Sequence, residues 1–518
     1  MSNPSTPSSS ADGRNFDAEI EYTFGFFPFL KPDNLMITGL LQGVRPPVDM
    51  VGENPSSRAL TFCELGCGQG VTLNVLAAGN EAGRYVGVDY NPAHIGNARL
   101  LAENAGLKNV EFIEASFADL KQRDLPDFDF VVLHGIYSWV TEKLRQDIVD
   151  FLDRKLKPGG LCFVSYNCTI GRGADLAFRE LLQTSLRREA EPSPAGVARA
   201  LGLASDFAGK GARYFSGNAA TLDRLKDAQK RSATYVFHEF FNPVWTPFFF
   251  HEVAADMARA QLSFVGETNI AWNNPDLSIP STLRGAFERH SSVAEQELLK
   301  GIWTNQAFRR DIYVKGTPER LSLDEQVHVL ERLHYGLARK REDCTLKVAV
   351  PAGVANLPDK PFTPLLDALE KSPVSGERLR RLLPEGAVGD RDFVRALIIL
   401  FGAEYAELRI APEAMSGVKR RFDQLNAGIA RCVDKSLDLF VAATPKNGLA
   451  IKMNDISYFL YRARQTGPEN VISKAYRLLT TSGRNAYYND QEIKDRQAAE
   501  TIFAKTDRAF IEKILPRL

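Results

Sequence analysis

At 518 residues the chain is longer than one hydrophobic core supports, and a usual domain size of ~100–200 residues implies about three domains. Lys plus Arg and Asp plus Glu each total 64, so no global field points to nucleic acid or an anionic membrane surface as partner. The cysteines Cys63, Cys67, Cys162, Cys168, Cys344 and Cys432 contain no C-x-x-C pair, and no run of ~18 apolar residues occurs. Ser2 to Ser10 lacks an apolar h-region, so neither export nor membrane spanning is indicated and a reduced, cytoplasmic setting is expected.

Residues 1–15 read as a solvated, disordered leader. From Ala59 short apolar runs alternate with amphipathic stretches, the pattern of βα units in a mostly parallel sheet. A strand from Leu60 to Leu65 enters the loop Glu64-Leu65-Gly66-Cys67-Gly68-Gln69-Gly70, followed by a helix from Val71 to Ala78. A second strand, Tyr85 to Val88, ends at Asp89; Pro92 opens a helix that stops near Gly106, and Val110 to Ile113 forms a third strand. A fourth strand, Phe128 to Leu133, leads to a helix carrying Leu144, Ile148, Phe151 and Leu152, which Lys157-Pro158-Gly159-Gly160 should stop before a fifth strand, Leu161 to Ser165.

Residues 16–168 thus form a doubly wound core. The stretch 169–246, helix-prone and interrupted, reads as an insertion at the carboxyl edge of the sheet and a candidate lid. Over 247–318 the pattern resumes, with a helix from Pro247 to Gln261 and strands at Leu262 to Val265 and Arg310 to Val314. Residues 319–518 turn to charged helices, with a Pro-rich joint at Pro351 to Pro364 and an extended Arg409-Ile410-Ala411, a composition suited to a winged-helix-like module.

Gly66, Gly68 and Gly70, at alternate positions directly after a strand, let the backbone turn and approach a ligand with no Cβ in the way. A dinucleotide fingerprint needs glycine at position 71, which is Val71. Glu64 before the loop suits a cationic ligand, and S-adenosyl-L-methionine (AdoMet) carries an ammonium and a sulfonium. Asp89, at the end of the second strand, is positioned for ribose hydroxyls, with Tyr90 and Asn91 beside it; Ser116 and Phe117 are candidates to hold the adenine.

Leu133-His134-Gly135-Ile136-Tyr137-Ser138-Trp139-Val140, then Lys157-Pro158-Gly159-Gly160, then Ser165-Tyr166-Asn167, resemble class I methyltransferases that carry a methyltransferase regulatory domain. Tyr235 to Phe240, the strand around Phe264, and Phe308-Arg309-Arg310-Asp311 are similar to the same family, so the resemblance covers residues 16 to 460. One departure is Cys168-Thr169-Ile170-Gly171, where the family pattern has Pro before Gly. The resemblance implies an α/β fold: a Rossmann-like sheet with a helical insertion or lid and mainly α C-terminal domains. Its best-studied members are bacterial protein lysine methyltransferases acting on outer-membrane proteins, which implies a protein substrate met before export.

Transfer from a sulfonium needs alignment and water exclusion more than a base, and a lysine acceptor must first lose a proton. Aromatic candidates for the acceptor side are Tyr22, the Phe24 to Phe29 run, Tyr137, Trp139 and Tyr166, with Asn167 nearby. The Phe run equally suits a strap covering the sheet. His134 is a candidate to bind cofactor and to take a proton near neutral pH, and His238 with Glu239 to orient substrate or tie down the insertion. No metal site is expected, and a homo-oligomer is left open. Two other readings stand beside lysine methylation: a small-molecule methyltransferase with a lidded pocket, and an AdoMet-responsive regulator binding nucleic acid through Arg378, Arg380, Arg381 and Lys419-Arg420-Arg421.

Overall fold

The central sheet is built from β-strands whose middle members are buried on both faces, as parallel strands covered by helices must be. They are β1 (Thr61–Leu65), β2 (Arg84–Asp89), β3 (Val110–Glu114), β4 (Phe128–Leu133), β5 (Leu156–Asn167), β6 (Leu262–Glu267) and β7 (Phe308–Lys315). Their order is β3-β2-β1-β4-β5-β7-β6; the first five run parallel, and β7 is antiparallel to both β5 and β6. The order reverses between β1 and β4, so the crevice for a ligand opens at their carboxyl ends. The computed structural model describes residues 24–51, 58–186, 194–231, 233–383, 389–488, 491–493, 495–515 and 518; Tyr22 and the 1–15 leader lie outside them.

Helices α1 (Pro32–Leu41), α2 (Val71–Gly79), α3 (Pro92–Ala105) and α4 (Glu142–Lys155) cover the sheet. Asn91 caps α3, its side chain accepting from the N–H groups of Ala93 and His94, with Pro92 in the first turn. Lys157-Pro158-Gly159-Gly160 lies inside β5 and does not separate helix from strand as the sequence suggests. Leu156 already pairs with Phe128, the register slips before Phe130, and Gly159 at φ +76° absorbs the bulge.

Residues 171–247 form one compact unit; residues 24–170 and 248–518 form another. The helical unit has its own core of Phe178, Leu182, Val197, Ala200, Val236 and Phe240. Where the chain leaves and rejoins the sheet it is clasped: the Phe248 N–H donates to the Asn167 carbonyl at 2.9 Å, and the Thr169 N–H to the Phe248 carbonyl at 3.0 Å.

The C-terminal residues share cores with the sheet. One side of it packs Phe62, Phe130 and Phe163 in a cluster with Leu330, Tyr335, Leu366 and Leu397, residues that support a three-stranded antiparallel sheet around His334–Leu337. The other cluster joins Val71, Val75 and Leu101 to Phe422, Ile429 and Phe459. Here α5 (Met415–Asp434) lies on α2 and α3. A side chain at Gly428 would meet the Ala105 backbone at 2.8 Å, and the Arg421 guanidinium donates to the Ala78 carbonyl at 2.9 Å. Among the described residues no helix is long and apolar enough to cross a membrane.

Candidate active site

Gly66, Gly68 and Gly70 all adopt left-handed φ, at +72°, +51° and +66°. The close approach is also steric: a Cβ on Gly66 would strike the Ile136 side chain, and one on Gly70 would strike Ala98 and Phe112. The loop is fastened to the end of β2. The N–H groups of Gly66 and Cys67 donate to the Val88 carbonyl at 2.7 and 3.0 Å, and the Gly68 N–H donates to Asp89 Oδ2 at 2.8 Å. Asp89 Oδ1 accepts from the Asn91 N–H at 2.9 Å, with His94 Nδ1 at 3.4 Å. Each carboxylate oxygen retains a further lone pair for a ligand.

Glu64 sits beneath the loop, 4% exposed, and its Oε2 has no hydrogen-bond partner. Burial, reinforced by the Asp89 charge, pushes its pKa up to about 8. A buried, unpartnered carboxyl beside three Cβ-free positions fits the ammonium end of AdoMet, which favours its ionised form.

Tyr90 is 45% exposed beside this pocket. Ser116 donates its hydroxyl to Asp119 Oδ2 at 2.7 Å, so it caps its own turn, while Phe117 is half-buried against the sheet core.

Across the carboxyl edge four residues come level. Glu64 pairs with Val132, which brings Gly66 opposite His134 two residues on; Leu133 pairs with Val164, and Ser165 with Arg310. The His134 ring lies among Phe27 (centroids 4.3 Å apart), Phe29 (4.9 Å), Phe163 (6.2 Å) and Phe308 (6.2 Å). Its Nδ1 meets the Ser165 hydroxyl at 2.9 Å, and that oxygen also accepts the Gly135 N–H. The expectation that His134 takes a proton near neutral pH is corrected: burial and the Arg310 guanidinium hold its pKa down at about 4. The Phe24 to Phe29 run is a strap that also lines this site. Phe24 and Phe26 are buried, and the Phe27 N–H is tied to Thr72 Oγ1, in the first turn of α2, at 3.1 Å.

The two tyrosines expected to serve catalysis are each tied to a carboxylate. Tyr137 is fully buried and donates to Asp256 Oδ2 at 2.7 Å; Tyr166 is 1% exposed and donates to Asp311 Oδ2 at 2.6 Å. Burial first, then these carboxylates, push both phenols above their ordinary range. Trp139 is half-buried in the turn after β4, and the buried Asn167 donates its N–H to Ser138. Glu239 accepts from Arg172 at 2.6 Å inside the helical unit, where Arg224 also approaches it; the neighbouring His238 is half-buried.

The sequence alone missed Phe163, Ser165, Phe308 and Arg310 as site residues. Phe308 and Arg310 alternate along one strand, a signal that has meaning once β7 is known to lie beside β5. Behind them Arg309, 1% exposed, donates to Glu297 at 2.9 Å, to Asp311 at 3.0 Å and to Gln306 at 3.2 Å. Among the described residues no cluster of His, Cys, Asp and Glu could hold a metal ion.

The charges considered for nucleic acid are largely spoken for. Arg380 pairs with Glu331 and Asp390, Arg381 with Glu377, Lys419 with Asp423, and Arg421 with Glu81 and the end of α2.

A methyltransferase-domain family matches residues 56–199, and the family described as a predicted methyltransferase regulatory domain matches residues 232–315. The uncharacterized protein sll1526 of Synechocystis is 30% identical over 488 residues, 93% of this chain and 92% of that protein. Trans-aconitate 2-methyltransferase of Methylobacterium nodulans is 28% identical over 116 residues, 22% of this chain and 42% of that one. The structure of PKMT2 from Rickettsia typhi in complex with AdoHcy covers 95% of this chain and 98% of its own, with a TM-score of 0.65 and 19% identity. The chain therefore belongs to the class I methyltransferases with a methyltransferase regulatory domain, enzymes whose cofactor is AdoMet.

Proposed function

We propose that the protein methylates a lysine side chain of another protein. Bound AdoMet supplies a methyl group already activated on a sulfonium. Toward that cofactor, Glu64 receives the methionine ammonium, Asp89 the ribose hydroxyls, and the three glycines allow the loop backbone to approach. Tyr90 and Phe117 border the adenosine. The observation that carries the acceptor assignment is the aromatic enclosure of Phe27, Phe29 and Phe308 around an uncharged His134, next to Gly66. Such ring faces, partly shielded from water, suit an alkyl amine arriving without its proton. The solved relative named PKMT2 shares nearly the whole chain's arrangement, not the sheet alone, which supports a macromolecular acceptor.

Incubation of the pure protein and tritiated AdoMet with cell lysate is expected to place alkali-stable label on protein, as N-methyl groups give. Label confined to small molecules, or lost in alkali as a methyl ester, rejects this reading.

The Glu64 assignment has a pH signature. Its folded pKa lies above the ordinary 4.5, so stability is full at low pH and is lost as pH rises through about 8. A bound ammonium favours the ionised form, so AdoMet should tighten between pH 6 and 8 and release a proton on binding. Calorimetry in buffers of different ionisation enthalpy measures that release, and Glu64→Gln should abolish it.

A further inference from the structure

Arg310 stands at the rim of the aromatic enclosure, on β7 and away from the glycine loop in sequence. Its guanidinium lies over the Phe29 ring at 5.0 Å, its side chain is 31% exposed, and its strand position is level with Ser165 and, through β4, with His134. A cation at the mouth of an amine-binding site is an odd choice if the amine is to bind charged. It is a sensible one if the amine must bind neutral.

We propose that Arg310 is a positioning residue that, with Phe27, Phe29 and Phe308, keeps the acceptor amine in its neutral, nucleophilic form, so that transfer proceeds without a general base. This rests on the amine reading above. The ammonium of the incoming side chain gives its proton to solvent on entry. The nitrogen lone pair then forms the new N–C bond as the C–S bond breaks, with that electron pair staying on sulfur. The product amine picks up its positive charge in the same step, and charge is conserved.

The groups facing the site agree with this. From β7 comes Arg310 itself and from β4 His134, which the same surroundings hold uncharged. From β6 comes Glu267, 3.5 Å from the Arg310 Nε. It is 4% exposed, its Oε2 is taken by the Asn269 N–H at 2.6 Å, and burial raises its own pKa while the Arg310 charge lowers it. The strap and β5 bring Phe27, Phe29, Phe163 and Ser165, none of which titrates in the working range.

The test follows methyl transfer from tritiated AdoMet to poly-L-lysine and, separately, to poly-L-glutamate from pH 6 to 10, with wild type, Arg310→Gln and Arg310→Lys. The expected result is label on poly-L-lysine, with the rate rising with pH to a plateau. Arg310→Gln should move the midpoint up by about one pH unit while keeping the plateau, a deficit of about tenfold near neutral pH that disappears at high pH. Arg310→Lys should restore the midpoint. A deficit equal at every pH, as plain structural damage gives, overturns the proposal. Label on poly-L-glutamate that Arg310→Gln abolishes overturns the amine reading and makes Arg310 an anchor for a carboxylate. NMR titration of His134 provides an arm independent of acceptor: its pKa should rise in Arg310→Gln, and an unmoved pKa overturns the field argument whichever polymer is labelled.

Discussion

Asp89→Ala should weaken AdoMet binding by about 100-fold or more in calorimetry. The carboxylate pins the Gly68 and Asn91 N–H groups, and its remaining lone pairs are those proposed for the ribose. Hydrogen bonds to a charged group contribute ~1.5–3 kcal/mol each, so losing two ligand bonds alone removes ~3 kcal/mol or more, two decades of affinity. The loop loses its anchor as well, which adds to the deficit. Asp89→Asn, which keeps one acceptor oxygen, should fall between. An affinity unchanged in Asp89→Ala would mean the cofactor pocket lies elsewhere.

The largest stability effect should come from Arg309→Met. The guanidinium is almost fully buried between Glu297 and Asp311, and Asp311 in turn holds the Tyr166 hydroxyl. Removing one partner of a buried ionic cluster leaves uncompensated charge and costs about 3–5 kcal/mol, measured by denaturant unfolding. The sign with pH is fixed. Burial already raises the Asp311 pKa above its ordinary value, and loss of Arg309 raises it further. A carboxyl with a raised folded pKa loses stability as pH rises, so the deficit of the variant should be greatest in alkaline solution and shrink on acidification. The AdoMet affinity of the folded fraction should be spared, since no member of the cluster touches the glycine loop.

What could be read from sequence was local. The strand, the loop and α2 follow one another without interruption, and the left-handed turns demand glycine, so positions 60–79 were legible almost residue by residue. Asp89 and the Asn91-Pro92 helix start were legible for the same reason. The hydroxyl partners of Tyr137 and Tyr166 were not legible, because Asp256 and Asp311 lie 119 and 145 residues away. Nothing near a tyrosine in sequence says whether its hydroxyl meets a substrate or a buried carboxylate. Arg310 was missed by the same logic: its importance depends on β7 entering the sheet antiparallel beside β5 after the insertion, a pairing that periodicity cannot specify. The Phe strap was legible as apolar, though not as a wall of the site, because its register against His134 is set by the Phe27 to Thr72 hydrogen bond.

The seating of α5 on the two helices that carry the cofactor loops bears on how the protein is made. Arg421 caps the end of α2 across 343 residues of chain, and at ~5–20 residues per second a ribosome needs about 17 to 70 s to span that interval. Throughout it, the apolar flanks of α2 and α3, with Val75 and Leu101, await the half of the cluster that Phe422, Ile429 and Phe459 supply. The cofactor half is therefore a nascent species with an uncovered, aggregation-prone apolar face until the last third of the chain emerges.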